Sequence, residues 1–97
     1  MDDSLDRGGK KIAILSKLGR KRKIGMNYIP KEKAFSKIPG HVRGNLDDIL
    51  DEMYRNGLIE YHKQKNCISI NSTSISEVVD LIEDEVPKYI LDMLNQR

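Results

Sequence analysis

The chain has 97 residues, 38% of them apolar, and a single cysteine. That length suits one domain with one modest core, and no run approaches the roughly eighteen apolar residues of a membrane helix, so a soluble, cytoplasmic protein is expected. The net charge of +2 conceals a division: residues 7–44 carry twelve Lys/Arg against the lone acid Glu32, and residues 45–97 carry five against eleven Asp/Glu. A basic half of this kind favours a polyanion, most commonly nucleic acid, although a basic run is also often a solvated loop. The acidic start Met1-Asp2-Asp3 has the wrong charge for a secretory leader, and Cys67 alone makes neither an internal disulfide nor a cysteine-based zinc site.

The first helix is predicted over residues 10–18, with Ile12, Ala13, Ile14, Leu15 and Leu18 apolar and Gly19 as its stop. Asp6 could cap it, although Gly8 and Gly9 weaken an early turn. Arg20, Lys21, Arg22 and Lys23 repel one another and read as an exposed connection, followed by a short extended stretch over residues 24–29. Pro30 suits a helix start, so residues 31–37 are expected to form a second helix burying Ala34 and Phe35.

The strongest helical pattern places Val42, Leu46, Ile49, Leu50 and Met53 on one face and ends at Asn56-Gly57. Two registers are open. The helix starts near Val42, or it starts at an Asn45 cap that sets Asp47 and Asp48 in the first turn beside the positive end of the helix dipole. Residues 58–63 and 67–71 read as a hairpin, Ile68 and Ile70 alternating with polar neighbours. Ser74 and Glu77 have capping-box spacing, and a last helix runs from Ile75 with a bend near Pro87.

The passage from Asn45 through Tyr54-Arg55-Asn56-Gly57-Leu58-Ile59, followed by a polar tip and Cys67-Ile68-Ser69-Ile70, resembles winged helix domains, in which a third helix turns through Gly-Leu-Ile into the wing hairpin. The resemblance covers most of residues 10–85. It implies a mainly α fold with a small β-hairpin wing (α+β), a winged helix-turn-helix over residues 1–74 with an extra C-terminal helix over residues 75–97. It also implies double-stranded DNA binding, with the third helix in the major groove and the wing along the backbone.

On that reading the expected phosphate contacts are Arg20, Lys21, Arg22 and Lys23, with Lys33, Ser36 and Lys37 on the second helix and Lys63, Gln64 and Lys65 on the wing. His41, Arg43 and Asn45 form the tip of the third helix. The outer face of that helix bears Asp47, Asp48 and Asp51, which repel phosphates, so a protein-interaction module using the acidic helix is the alternative. His62 is read as structural or functional alike.

Nothing in the sequence suggests an enzyme, a cofactor or a metal site: there is no GxxxxGK[ST] loop, no HExxH, and only His41 and His62 as neutral-pH bases. Tyr28, Tyr54, Tyr61 and Tyr89 are too scattered for a stacking platform. Ile75, Val79, Ile82, Val86, Tyr89 and Met93 follow the 3-4 spacing of a coiled-coil seam. Its first half either covers the chain's own core or meets a partner, and Val86, Tyr89, Ile90, Met93 and Leu94 are expected to form a homodimer surface. The expected role is that of a transcriptional regulator.

Overall fold

Over residues 7–36, 38–40 and 44–95, which the computed structural model describes, the chain is a mixed α+β protein with five α-helices and a three-stranded antiparallel sheet. The first helix, α1 (Arg7–Arg20), extends past the predicted span at both ends and buries Ile14, Leu15 and Leu18 completely. Gly19 does not stop it. The N–H of Lys23 donates to Leu18 O at 2.9 Å and that of Arg22 to Gly19 O at 3.0 Å, the paired bonds of a Schellman turn whose left-handed residue is Arg22, φ 55°. Gly19 is instead a packing position: a Cβ there would stand 3.2 Å from Ile82 Cδ1 and 3.4 Å from Leu94 Cδ1, so its absence lets α1 approach the C-terminal helices.

The expected extended stretch narrows to a parallel bridge between Ile24 and Ile70 and the short edge strand β1 (Ile29–Pro30), where a proline costs no interior ladder bond. The second helix, α2 (Lys31–Ala34), is shorter than predicted. Phe35 and Ile38 are both buried, and their burial turns the chain inward before a longer helix can form.

The third helix, α3 (Leu46–Arg55), takes the later of the two registers, with Asn45 at the N-cap position but no capping bond from its side chain. Leu46, Ile49, Leu50 and Met53 are buried as the periodicity predicts, and Val42 lies outside the described residues. A second Schellman turn ends it, with Gly57 at φ 78°, Leu58 N–H on Met53 O at 2.9 Å and Gly57 N–H on Tyr54 O at 3.0 Å. The chain passes straight into β2 (Ile59–His62), which pairs with β3 (Cys67–Ile70) in the register Ile59 to Ile70 and His62 to Cys67. Since β3 also pairs with β1, the order across the sheet is β1-β3-β2. Strand alternation turns Ile29, Ile59, Tyr61, Ile68 and Ile70 to the core and leaves Glu60, His62, Cys67 and Ser69 on the opposite face.

Two expectations at the C-terminal end are corrected. The Ser74–Glu77 capping box does not form: Ser74 Oγ donates to Gly57 O at 2.6 Å, tying this segment to the end of α3, and the Asn71 side chain caps a 3-10 turn (Ser72–Ser74) instead. The last helix is two, α4 (Ile75–Ile82) and α5 (Lys88–Asn95), and both pack on α1. Val78, Ile82, Val86, Ile90 and Leu94 recur every fourth residue and are all buried. On one unbroken helix that spacing would drift about 40° per step, and the break over residues 83–87 resets the phase so that both helices face inward. The 3-4 seam is therefore absent, and Val86, Ile90 and Leu94 belong to the core of their own chain rather than to an exposed dimer surface. Met93 packs partly on that core, which leaves Tyr89, 66% exposed, as the outward member of the set. No helix among the described residues is long and apolar enough to cross a membrane.

Candidate nucleic-acid interface

The chain turns sharply at Arg22 and then runs back to β1, and this path brings the end of α1 beside α2. Lys17, Lys21, Lys23, Lys33 and Ser36 line a groove of about 320 Å³ with Ile29 at its floor. A second depression, of about 440 Å³, adjoins it at Lys21 and adds Arg22, Asn27 and Met93. Among the described residues, none of Lys17, Lys21, Arg22, Lys23 and Lys33 lies within ion-pair distance of a carboxylate. Among these residues too, Lys23 Nζ donates only to Asn27 Oδ1, at 3.3 Å. Cations gathered in a concave site without counter-charges create a positive potential that attracts a polyanion.

The opposite edge of the sheet, where α3 packs on β2, is built differently. Here four cations meet acids, while Arg55 at the end of α3 has no carboxylate within ion-pair distance among the described residues. Lys31 Nζ donates to Asp47 Oδ1 at 3.0 Å, Lys65 Nζ lies 3.6 Å from Asp51 Oδ1, and Arg7 and Lys11 of α1 both reach Glu52. The Tyr61 hydroxyl donates to the same Asp51 oxygen, which lowers the Asp51 pKa first through that bond and then through Lys65. Burial and the Asp51 carboxylate together hold the phenol well above its ordinary range. Bonds from Lys11 and Arg7 lower the Glu52 pKa from 4.5 to about 2. Tyr54 stands half-exposed against Tyr61, ring centroids 5.1 Å apart.

The hairpin tip between these edges carries Lys63, Gln64 and Lys65, all exposed and all with positive φ (55°, 58° and 73°). Non-glycine residues pay about 1–2 kcal/mol each for this left-handed conformation. Lys63 Nζ sits 6.0 Å from the Tyr28 ring centroid and Lys65 Nζ 5.2 Å from that of Tyr61. Behind the tip, Tyr28 stacks on His62 at 4.3 Å, and His62 Nε2 lies 3.0 Å from the buried Ser69 Oγ. Ser69 spends its own proton on Gly25 O, at 2.7 Å, so Nε2 donates to Ser69 and His62 acts as a structural clasp across the sheet.

The residues expected at the interface thus separate. Lys21, Arg22, Lys23, Lys33 and Ser36 come together at the β1 edge, whereas Lys63, Gln64 and Lys65 stand on the hairpin tip and Asn45 at the start of α3. Arg20 turns away, its guanidinium donating to Glu85 O at 2.9 Å in the connection between α4 and α5. Lys37, His41 and Arg43 lie outside the described residues. Sequence reasoning missed Lys17, which the turn after α1 joins to Lys21, the Lys21 N–H donating to Lys17 O at 3.1 Å. It also missed Lys31, whose partner Asp47 is distant in sequence. Compared with protein-family models, with curated proteins and with solved structures, the chain matches none.

Proposed function

We propose that this chain is a winged helix protein that binds double-stranded DNA, as a transcriptional regulator does, by contacts made mainly to phosphates. The observation that carries the reading is the gathering at one surface of five cations with no carboxylate partner among the described residues: Lys17, Lys21, Arg22, Lys23 and Lys33. The order α1-β1-α2-α3-β2-β3, with α3 turning through Gly57 directly into a hairpin and strands ordered β1-β3-β2, supports the winged helix part of it. A helix pair followed by such a hairpin can lay several side chains along a duplex backbone.

Titration of the full chain against a labelled random-sequence duplex over a range of salt concentrations tests this. Affinity is expected to fall steeply with salt, because every phosphate neutralised releases condensed counterions. No binding at low salt, or binding indifferent to salt, overturns the proposal. The second reading, a protein-docking module, has the exposure of Asp47, Asp48 and Tyr54 on α3 in its favour, and it predicts no duplex binding in the same titration.

A further inference from the structure

We infer that the duplex seats its phosphate backbone in the lysine groove at the β1 edge, formed by Lys17, Lys21, Lys23, Lys33 and Ser36, and that α3 is kept out of the major groove. The inference rests on the DNA reading and names the surface and chemistry that carry it. Charge state comes first. A lysine already paired with a carboxylate must break that pair before it meets a phosphate, and the lysines of the β1 edge have no such pair to break.

Position comes second. The groove takes Ile29 from β1 while α3 packs on β2 at the other edge of the sheet, and α2 reaches both. Lys31 and Lys33, two residues apart on α2, lie about 200° apart around that helix, one bonded to α3 and the other lining the groove. Insertion of α3 would also carry Asp47, Asp48 and Asp51 toward the phosphates.

Arg22 supplies a third and independent observation. It fills the left-handed position of a Schellman turn, the position glycine fills at the end of α3. Lys63, Gln64 and Lys65 share that conformation at the hairpin, so Arg22 enters through its place and its charge rather than through strain. Arg22 lines the depression that prolongs the lysine groove. The two depressions share Lys21 and form one strip in which ammonium, guanidinium and hydroxyl donors follow each other. Such a strip suits consecutive phosphodiesters of one strand, whose charges need no base contact to be recognised.

The test is fluorescence anisotropy with a labelled 30-base-pair random duplex and the full chain, comparing the wild type with Lys17→Gln/Lys33→Gln and with Lys63→Gln/Lys65→Gln. The groove variant is expected to bind at least about tenfold more weakly at about 0.1 M salt, with the log–log salt slope smaller by about 2. The hairpin variant should stay within about twofold of wild type, since Lys65 is already paired with Asp51 and Lys63 stands outside the groove. Duplex protection of wild-type lysines from acetylation, read by mass spectrometry, needs no variant to fold: Lys17, Lys21, Lys23 and Lys33 should be shielded and Lys65 not. Salt-dependent binding that is unaffected in the groove variant, or lost equally in both variants, overturns the inference and leaves the DNA reading standing. Wild type that binds no duplex at low salt overturns both.

Discussion

The two flanks of the sheet carry similar numbers of cations and, Arg55 at the end of α3 aside, hold them in opposite electrostatic states. At the α3 flank Arg7, Lys11, Lys31 and Lys65 each lie beside a carboxylate. At the β1 flank Lys17, Lys21, Lys23 and Lys33 meet none among the described residues. The difference arises because α3 brings its own acids into the packing while α1 and α2 bring almost none. Formal charge along a sequence is therefore a poor guide to the charge a ligand encounters; what counts is the charge left after the fold has paired what it can.

Both flanks hang from α1, so the largest perturbation is one that loosens α1. Leu94→Ala removes a side chain that is 1% exposed and packs beside Gly19, and it should cost about 2–5 kcal/mol, measured by urea unfolding. Truncation after Val86 removes Ile90 and Leu94 together and should abolish cooperative unfolding. A truncated chain that still melts cooperatively would separate α5 from the core.

Arg22→Gly sharpens the comparison from the β1 side. It should raise stability by about 1 kcal/mol by relieving the left-handed arginine, and weaken duplex binding several-fold by removing a cation from the strip. Unchanged binding would take Arg22 out of the interface. At the hairpin, Gln64→Gly is expected to give a smaller gain in stability, about 0.5–1 kcal/mol, with no change in duplex affinity. A marked loss of affinity there would bring the hairpin into the interface.

The smallest effect belongs to the paired flank and is read through pH. Glu52 has a folded-state pKa lowered from 4.5 to about 2, so its pairing with Lys11 and Arg7 contributes fully above the unfolded value and is lost as pH falls through that interval. Glu52→Gln should lower stability slightly at neutral pH, since the pair is partly exposed to solvent, and flatten the acid branch between those values, so that the two stability curves converge as pH falls toward 2. Equal acid sensitivity in the two proteins would place the titrating group elsewhere.

Much of the fold was legible because it follows from local chemistry. The buried face of α3 was written in the spacing of Leu46, Ile49, Leu50 and Met53, its end in Asn56-Gly57, and the hairpin in two short β-forming runs around a polar tip. The basic half likewise marked most of the cations that line the groove. What misled was local chemistry with two readings. Gly19 looked like a helix stop and proved to be a packing surface, Ser74 looked like a cap and bonded to Gly57, and a 3-4 repeat looked like a seam until the chain broke it.

By itself the sequence determined which residues repel water, where the backbone turns, and that positive charge crowds one half of the chain. Only the tertiary structure decided which of those charges remain unpaired. Lys31 and Asp47, Lys65 and Asp51, and Lys11 and Glu52 are separated by 16, 14 and 41 positions, and their pairing depends on how α1, α2 and the hairpin pack around α3. Lys17 and Lys33 are likewise 16 positions apart and meet across one groove, since the turn at Arg22 and the edge strand β1 return the chain to the side of α1. Hydrophobic periodicity is a property of neighbours in the chain. Electrostatic availability is a property of neighbours in space, and it exists only once the core has set their distances.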